Sequence, residues 1–447
     1  MYITELIGED YKTKWKVGNK ILIKAQTGSG KSTFFGNVIA QFCEEQNLHA
    51  LMLSNRRLLR LQNQLLFKTN VDCFNYQTFE SIVRKGKKQI DALFDKYDII
   101  FIDECHYFFI DSAFNNNTDI VLEYVLREHK DKILIFASAT PELMLQCIKK
   151  DNFDYVYEMK NDYSYIRKII FYKEDKDVDD ILRNLPPYEK SIYFAARVED
   201  AAVNSRTFKN ARFICSQYNR RFKKFSDNAT YSQIVEHEKF DCKILMTTSV
   251  LDNGINIKDN RLKHILIDLM DETTVIQCVG RKRVISDTDG IILYCRVPKK
   301  QQIYGNIYGN RNRQKSSTRL SEKCLAKYIS RQWEKVLKIG YEKYICDIFN
   351  YNIETALHYQ ADKIEDAISH ILKQYKNLKL FDEEQREFME TFKEQVYNKD
   401  STEYDRYNFK SLAANIEEYG LPYKLEKRRE KSGKNRDKYY WIITENS

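Results

Sequence analysis

The sequence predicts an α/β fold: two tandem parallel-sheet domains, then a mostly helical C-terminal region that ends in a helix and a hairpin. Three observations carry that prediction. Short apolar, β-branched runs alternate with helix-length segments; the alternation pauses at a polar, tyrosine-rich patch and restarts; and it stops after Val297, where the chain turns basic and turn-rich. Near-continuous apolar strands separated by helices belong to a parallel sheet covered on both faces.

The first domain, residues 1–160, is expected to place strands at "KILIKA" (20–25), "HALMLS" (49–54), "VDCFNY" (71–76), "DIIFIDE" (98–104) and "KILIFASAT" (132–140). The patch "DNFDYVYEMKNDYSY" from Asp151 interrupts the rhythm and is read as a break between domains. In the second domain, residues 161–300, strands are expected at "IRKIIFYK", "KSIYFAA", "ARFICS", "CKILMTT", "LKHILIDLM" and "DGIILYCRV". Residues 301–447 form the accessory region: "PKKQQIYGNIYGNRNRQKSSTR", then helical stretches from about Leu320 to Asn398. From Asn408 the pattern gives a helix stopped at Gly420, a strand, a basic turn and an aromatic strand, the outline of a winged helix.

A chain of 447 residues accommodates two or three domains, and 43% hydrophobic with 31% charged residues is a globular composition. No apolar run approaches the roughly 20 residues of a membrane span, and "MYITELIGEDYK" lacks the order of a signal peptide, so a cytoplasmic address is expected. The ten cysteines are scattered singly with no CxxC pair, which favours reduced thiols over a structural zinc. A net charge of +9 is compatible with a polyanionic partner.

The chemistry begins in "ILIKAQTGSGKSTFF". Ala25, Gln26, Thr27, Gly28, Ser29, Gly30, Lys31, Ser32 and Thr33 form a small-residue loop between a strand and a helix. Such a loop turns consecutive N–H groups toward a β-phosphate, offers the Lys31 amine to the β and γ oxygens, and presents the Ser32 hydroxyl to Mg2+. Asp103, Glu104 and His106 follow the apolar strand of "DIIFIDECH": Asp103 is suited to hold the magnesium through water and Glu104 to act as general base on the attacking water. Ser138 and Thr140 of "ASAT" end the next strand and are able to bridge toward His106 as a coupling element.

In this order the motifs resemble superfamily 2 helicases of the DEAD/DEAH-box type, over roughly residues 1–297. "AQTGSGKS" is the form that family uses, "DECH" is similar to its Mg-ATP motif and "ASAT" to its coupling motif. The resemblance implies two RecA-like domains, with ATP and Mg2+ bound between them. It also implies backbone contacts to nucleic acid from "LSNRRLL" (Asn55, Arg56) and "NYQTF" (Gln77, Thr78). "TSVLDNGINI" resembles the fifth motif, with Thr248 at a strand phosphate and Gly254 and Asn256 facing ATP. "QCVGRKR" resembles the sixth, which supplies arginine to the γ-phosphate from Gln277, Arg281 and Arg283.

The usual second arginine position of that motif is Val284 here. Either Arg281 is the finger, on a helix face shared with Gln277 and Val284, or the helix ends at Lys282 and Arg283 swings in; Arg281 is preferred. No glutamine precedes Gln26 to read adenine, which leaves Tyr11 and Trp15 either to stack on a base or to pack on the domain.

The expected function is an ATP-dependent helicase or translocase on single-stranded or junction DNA in preference to RNA, with Arg428, Arg429, Lys434 and Arg436 of the hairpin adding phosphate contacts. The alternatives are a nucleic-acid clamp with little turnover and a motor subunit that translocates without unwinding inside a restriction, defence or replication assembly.

Overall fold

The computed structural model describes all residues except Met1, 55–69, 85, 114, 128–130, 217–218, 249–255, 287, 360, 397–407, 419–420 and 446–447. The chain divides into two compact units, Met1–Leu357 and His358–Ser447.

The first unit holds both parallel sheets. β1 (Lys20–Lys24), β2 (Ala50–Ser54), β3 (Val71–Asn75), β4 (Ile99–Asp103), β5 (Ile133–Ser138) and β6 (Tyr155–Glu158) are ordered β3-β2-β4-β5-β1-β6, and every adjacent pair is parallel. Alternate residues of the apolar runs feed two different cores. Leu22, Leu51, Ile100, Leu134 and Phe136 pack on one face, and Ile21, Ile23, Met52, Phe101 and Ile135 on the other. Both faces being buried is why these strands read as unbroken apolar runs.

β6 falls within the patch read as a break. It pairs with β1 from Ile21↔Tyr155 to Lys24↔Glu158 at the sheet edge, where its residues are only partly buried, so its sequence lacks the apolar density of a central strand.

The second sheet contains β7 (Ile166–Tyr172), β8 (Lys190–Phe194), β9 (Ala211–Phe213), β10 (Ile244–Thr247), β11 (Leu262–Ile267) and β12 (Ile291–Arg296) in the order β7-β12-β11-β8-β10-β9, all within the first unit. All six long strands coincide with the expected runs.

The helices Lys300–Ser316, Leu320–Ile339 and Tyr341–Ile348 belong to the first unit, so the division falls at 357/358, well beyond the composition change near 300. Leu320–Ile339 enters both cores: Cys324 and Leu325 pack in the first domain, and Trp333 and Val336 in the second. Arg319, at its N-cap, donates to Ser112 O, Asn115 O, Asn116 Oδ1 and Thr118 Oγ1 and pairs with Asp119 at 2.7 Å. Toward the second domain, Tyr328 donates to Glu272 Oε2 at 3.2 Å and Gln332 Nε2 to Met270 O at 3.3 Å. The helix therefore ties the two α/β domains together.

The second unit packs the helices Ala361–Gln374, Asp382–Val396 and Phe409–Glu418 with an antiparallel hairpin, Tyr423–Arg429 and Tyr439–Glu445. Its core includes Ile371, Leu372, Phe388, Phe392, Leu412 and Ile443. Helix and hairpin match the expected C-terminal outline. Among the described residues no helix is long and apolar enough to cross a membrane.

Candidate active site

Strand register sets the site. Lys24 lies level with Ser138 across β1 and β5, and Asp103 level with Ala137 across β4 and β5. The phosphate loop, the DECH turn and the ASAT segment therefore leave the same sheet edge, with β5 between the first two.

Ala25 N donates to Ser138 O at 3.1 Å, fixing the start of the loop on β5. The buried Lys31 amine folds back to Ala25 O (2.9 Å) and Gln26 O (3.2 Å) and lies 3.8 Å from Glu104 Oε1. Asp103, Glu104 and His106 are all buried. Glu104 takes a left-handed backbone, φ +51, uncommon for a residue with a Cβ.

His106 Nδ1 stands 2.9 Å from Ser138 Oγ and 3.4 Å from Glu104 Oε2, while Ser138 Oγ accepts from Thr140 N at 3.0 Å. His106, Ser138 and Thr140 thus lie together, with Thr140 joining through its backbone N–H. Among the described residues, the buried Ser29 Oγ, Thr140 Oγ1 and Gln277 Nε2 have no hydrogen-bond partner, so the site retains polar capacity inside.

The second domain closes directly on the loop. Gly28 has φ +88, and a Cβ built there would lie 2.2 Å from Arg283 Nη1; a Cβ on Gly280 would lie 2.0 Å from Thr27 Oγ1. A cavity of about 440 Å³ opens at this junction, lined by Gln26, Thr27, Gly28, the Asp162–Tyr165 segment, Gly280 and Arg283. Gln26 Oε1 accepts from Asp162 N at 2.7 Å.

The geometry sets Arg281 and Arg283, the two candidate fingers, in different places. The helix carrying Gln277 ends at Val279, earlier than either expectation required, so Gln277, Arg281 and Val284 share no helical face. Arg281 is fully buried and turned back on its own helix, donating to Gln277 O (2.9 Å) and Gln277 Oε1 (2.6 Å). Arg283 reaches the phosphate loop, and its Nε donates to Asn256 Oδ1 at 2.8 Å.

A parallel bridge, Ile257↔Lys282, stitches the 256–257 and 281–283 segments together: Ile257 N donates to Arg281 O at 2.8 Å and Arg283 N to Ile257 O at 2.9 Å. Lys282 anchors this turn from inside, bonded to Asp259 O at 2.9 Å and paired with buried Asp289. Burial pulls the Lys282 pKa down against that pairing, whereas Asp289 stays below the usual carboxylate range because Lys282 and Lys263 outweigh its desolvation.

Tyr11 and Trp15 are packing residues. Both are buried around Phe34, edge to face at 6.1 and 6.4 Å, and Trp15 Nε1 donates to Tyr157 Oη at 3.1 Å. Gln77 is exposed, Thr78 is half-buried, and Thr248 is buried at the end of β10. Asn55, Arg56 and Gly254 lie outside the described residues. On the hairpin Arg428, Arg429, Lys434 and Arg436 are exposed, but Arg428 pairs with Glu426 at 2.5 Å and Arg429 with Asp437 at 3.1 Å, which reduces the cationic field of the tip.

Two features escaped the sequence reading: the Asp162–Tyr165 lining, within a patch read as a break, and Tyr76, whose hydroxyl donates to Asp103 O at 2.7 Å. The "NYQTF" segment was the available signal for Tyr76.

No protein-family model matches the chain. No curated protein matches it either. Similar solved structures include S. cerevisiae Dbp5 bound to RNA and ADP BeF3, at 16% identity over 77% of this chain and 98% of that one, TM-score 0.48. The DEAD-box helicase Mss116 bound to ssRNA and UDP-BeF is 12% identical over 79% and 83%, TM-score 0.49. The DEAH/RHA helicase HrpB of Escherichia coli is 11% identical over 84% and 56%, TM-score 0.47. At these identities the likeness is one of architecture.

Proposed function

We propose that the chain is an ATP-dependent nucleic-acid motor, a helicase or translocase, that hydrolyses ATP between its two α/β domains. The observation that carries this reading is the approach of Arg283 to Gly28: a guanidinium of one domain lies on the phosphate loop of the other. Affinity for a triphosphate is then a measure of how the two domains sit, which is the requirement for turning hydrolysis into motion.

The residues fit the proposed ligands. A small-residue loop with a buried lysine suits phosphates, and the Ser32 hydroxyl and the Asp103 carboxylate are the oxygen donors a hard cation such as Mg2+ selects. Bound there, Mg2+ would neutralise phosphate charge. Lys31 exchanges its loop carbonyls for phosphate oxygens, Glu104 takes the proton of the attacking water, and His106 with Ser138 links that turn to the ASAT segment. Arg283, oriented by Asn256, completes the charge stabilisation from the second domain.

The partner in this reading is a single strand held by its phosphates, with DNA preferred on the strength of the helix-and-hairpin end. Phosphate release measured with single-stranded DNA, single-stranded RNA and duplex, each titrated with salt, tests it. Stimulation by single strands that falls with salt supports a motor. Binding of ATP and strand without turnover indicates a clamp, and equal rates with and without every polynucleotide remove the nucleic-acid reading.

A further inference from the structure

Tyr76 is the first residue of the helix Tyr76–Val83, which follows edge strand β3, and its side chain is fully buried. Its hydroxyl crosses to the end of β4 and donates to Asp103 O at 2.7 Å. That oxygen belongs to the peptide joining Asp103 to Glu104, the residue with φ +51. The bond therefore holds the peptide that lies between the two carboxylate-bearing residues.

The ring is held as firmly as the hydroxyl. Tyr76 stacks on Tyr107 at 4.3 Å with 7° between planes and meets Phe108 edge-on at 5.1 Å. One turn along the same helix, Glu80 accepts from Tyr107 Oη at 3.0 Å and from Asn115 Nδ2 at 2.9 Å and 2.8 Å. The helix is thus fastened to the DECH turn at two points, and only the Tyr76 point touches the Asp103–Glu104 peptide. Gln77, the next residue, is exposed.

We propose that Tyr76 is a positioning residue for the hydrolytic step: its hydroxyl holds the Asp103–Glu104 peptide so that Glu104 meets the attacking water, and it links that peptide to the helix bearing Gln77 and Thr78. The inference rests on the motor reading given above. Two other bonds keep the turn folded without it, Cys105 N to Ala137 O at 3.0 Å and Tyr107 N to Glu104 O at 2.9 Å, so loss of the hydroxyl should misplace the base without unfolding the turn.

The test compares Tyr76→Phe and Tyr107→Phe in the full chain, measuring kcat and KM for ATP with saturating single strand, alongside thermal unfolding. Tyr107→Phe removes the hydroxyl of another buried tyrosine, one that bonds Glu80 and not Asp103. A general base contributes roughly 10² to 10⁴ in rate, so its partial misplacement in Tyr76→Phe is expected to lower kcat on the order of ten-fold with KM for ATP nearly unchanged. Tyr107→Phe is expected to keep kcat near that of the unmodified chain. Equal kcat in Tyr76→Phe and the unmodified protein, or an equal loss in both variants, overturns the inference. An unmodified chain that hydrolyses no ATP in the same assay instead defeats the motor reading on which it rests.

Discussion

Arg283 and Gly28, one from each α/β domain, approach so closely that a Cβ on the glycine would sit 2.2 Å from the guanidinium Nη1. Gly28 also holds φ +88, where a side chain adds strain of about 1 kcal/mol or more. Gly28→Ala is therefore expected to slow ATP hydrolysis by displacing Arg283 as well as by straining the loop. Combining it with Arg283→Ala should cost less than the two separate losses added together, a non-additivity that a double-mutant cycle on the hydrolysis rate would register.

Arg281 is placed differently. Fully buried and bonded twice to Gln277, it supports the turn from behind. Arg281→Ala leaves a cavity and an unpaired Gln277 oxygen, so the chain is expected to lose about 3 kcal/mol of stability. Chemical denaturation followed by fluorescence checks this, and an unchanged midpoint would refute it.

Arg319 fastens the bridging helix to the first domain by four hydrogen bonds to residues 112–118 and an ion pair with Asp119. Hydrogen bonds to a charged group are worth about 1.5 to 3 kcal/mol each when broken singly, though far less than additively when they share one side chain. Arg319→Ala should lower the unfolding midpoint of the first unit and raise amide exchange in the 112–119 segment, which hydrogen-exchange mass spectrometry resolves.

Asp111 gives the protein a pH signature. Burial first, and then the charge of Glu80, push its pKa up to about 7. The folded state therefore holds a proton that the unfolded chain, with an ordinary aspartate value of 3.8, releases at lower pH. Between those two values stability falls as pH rises, and above about 7 the loss is complete. Asp111→Asn should flatten that slope, so the variant melts higher than the unmodified chain at pH 8 while the two converge near pH 4. Parallel melting curves across that range would contradict this.

How much of this could be read from the sequence follows from where each residue's partners lie. The central strands β2, β4, β5, β8 and β10 are legible because both of their faces are buried, and that leaves unbroken apolar runs. β6 is not, because an edge strand with Tyr155, Tyr157 and Glu158 part-exposed looks polar. Lys31, Asp103, Glu104, His106 and Ser138 were legible as local motifs at strand ends, and the register brings them together. The placement of the two arginines was not. It depends on a helix that stops at Val279 and on a bridge between Ile257 and Lys282, segments 25 residues apart whose pairing no local pattern announces. The helix Leu320–Ile339 was legible as a helix, but its two ends enter different cores, and only tertiary structure assigns those.

The most direct measurement of the central claim, that a triphosphate is worked from both domains at once, is single-turnover ATP hydrolysis by Arg283→Ala beside equilibrium binding of a non-hydrolysable ATP analogue. An arginine acting on the transferring phosphoryl group is worth about 10³-fold or more in rate, so hydrolysis is expected to fall by that order while analogue binding changes only a few-fold. Hydrolysis that persists at the unmodified rate with strand present would contradict the account.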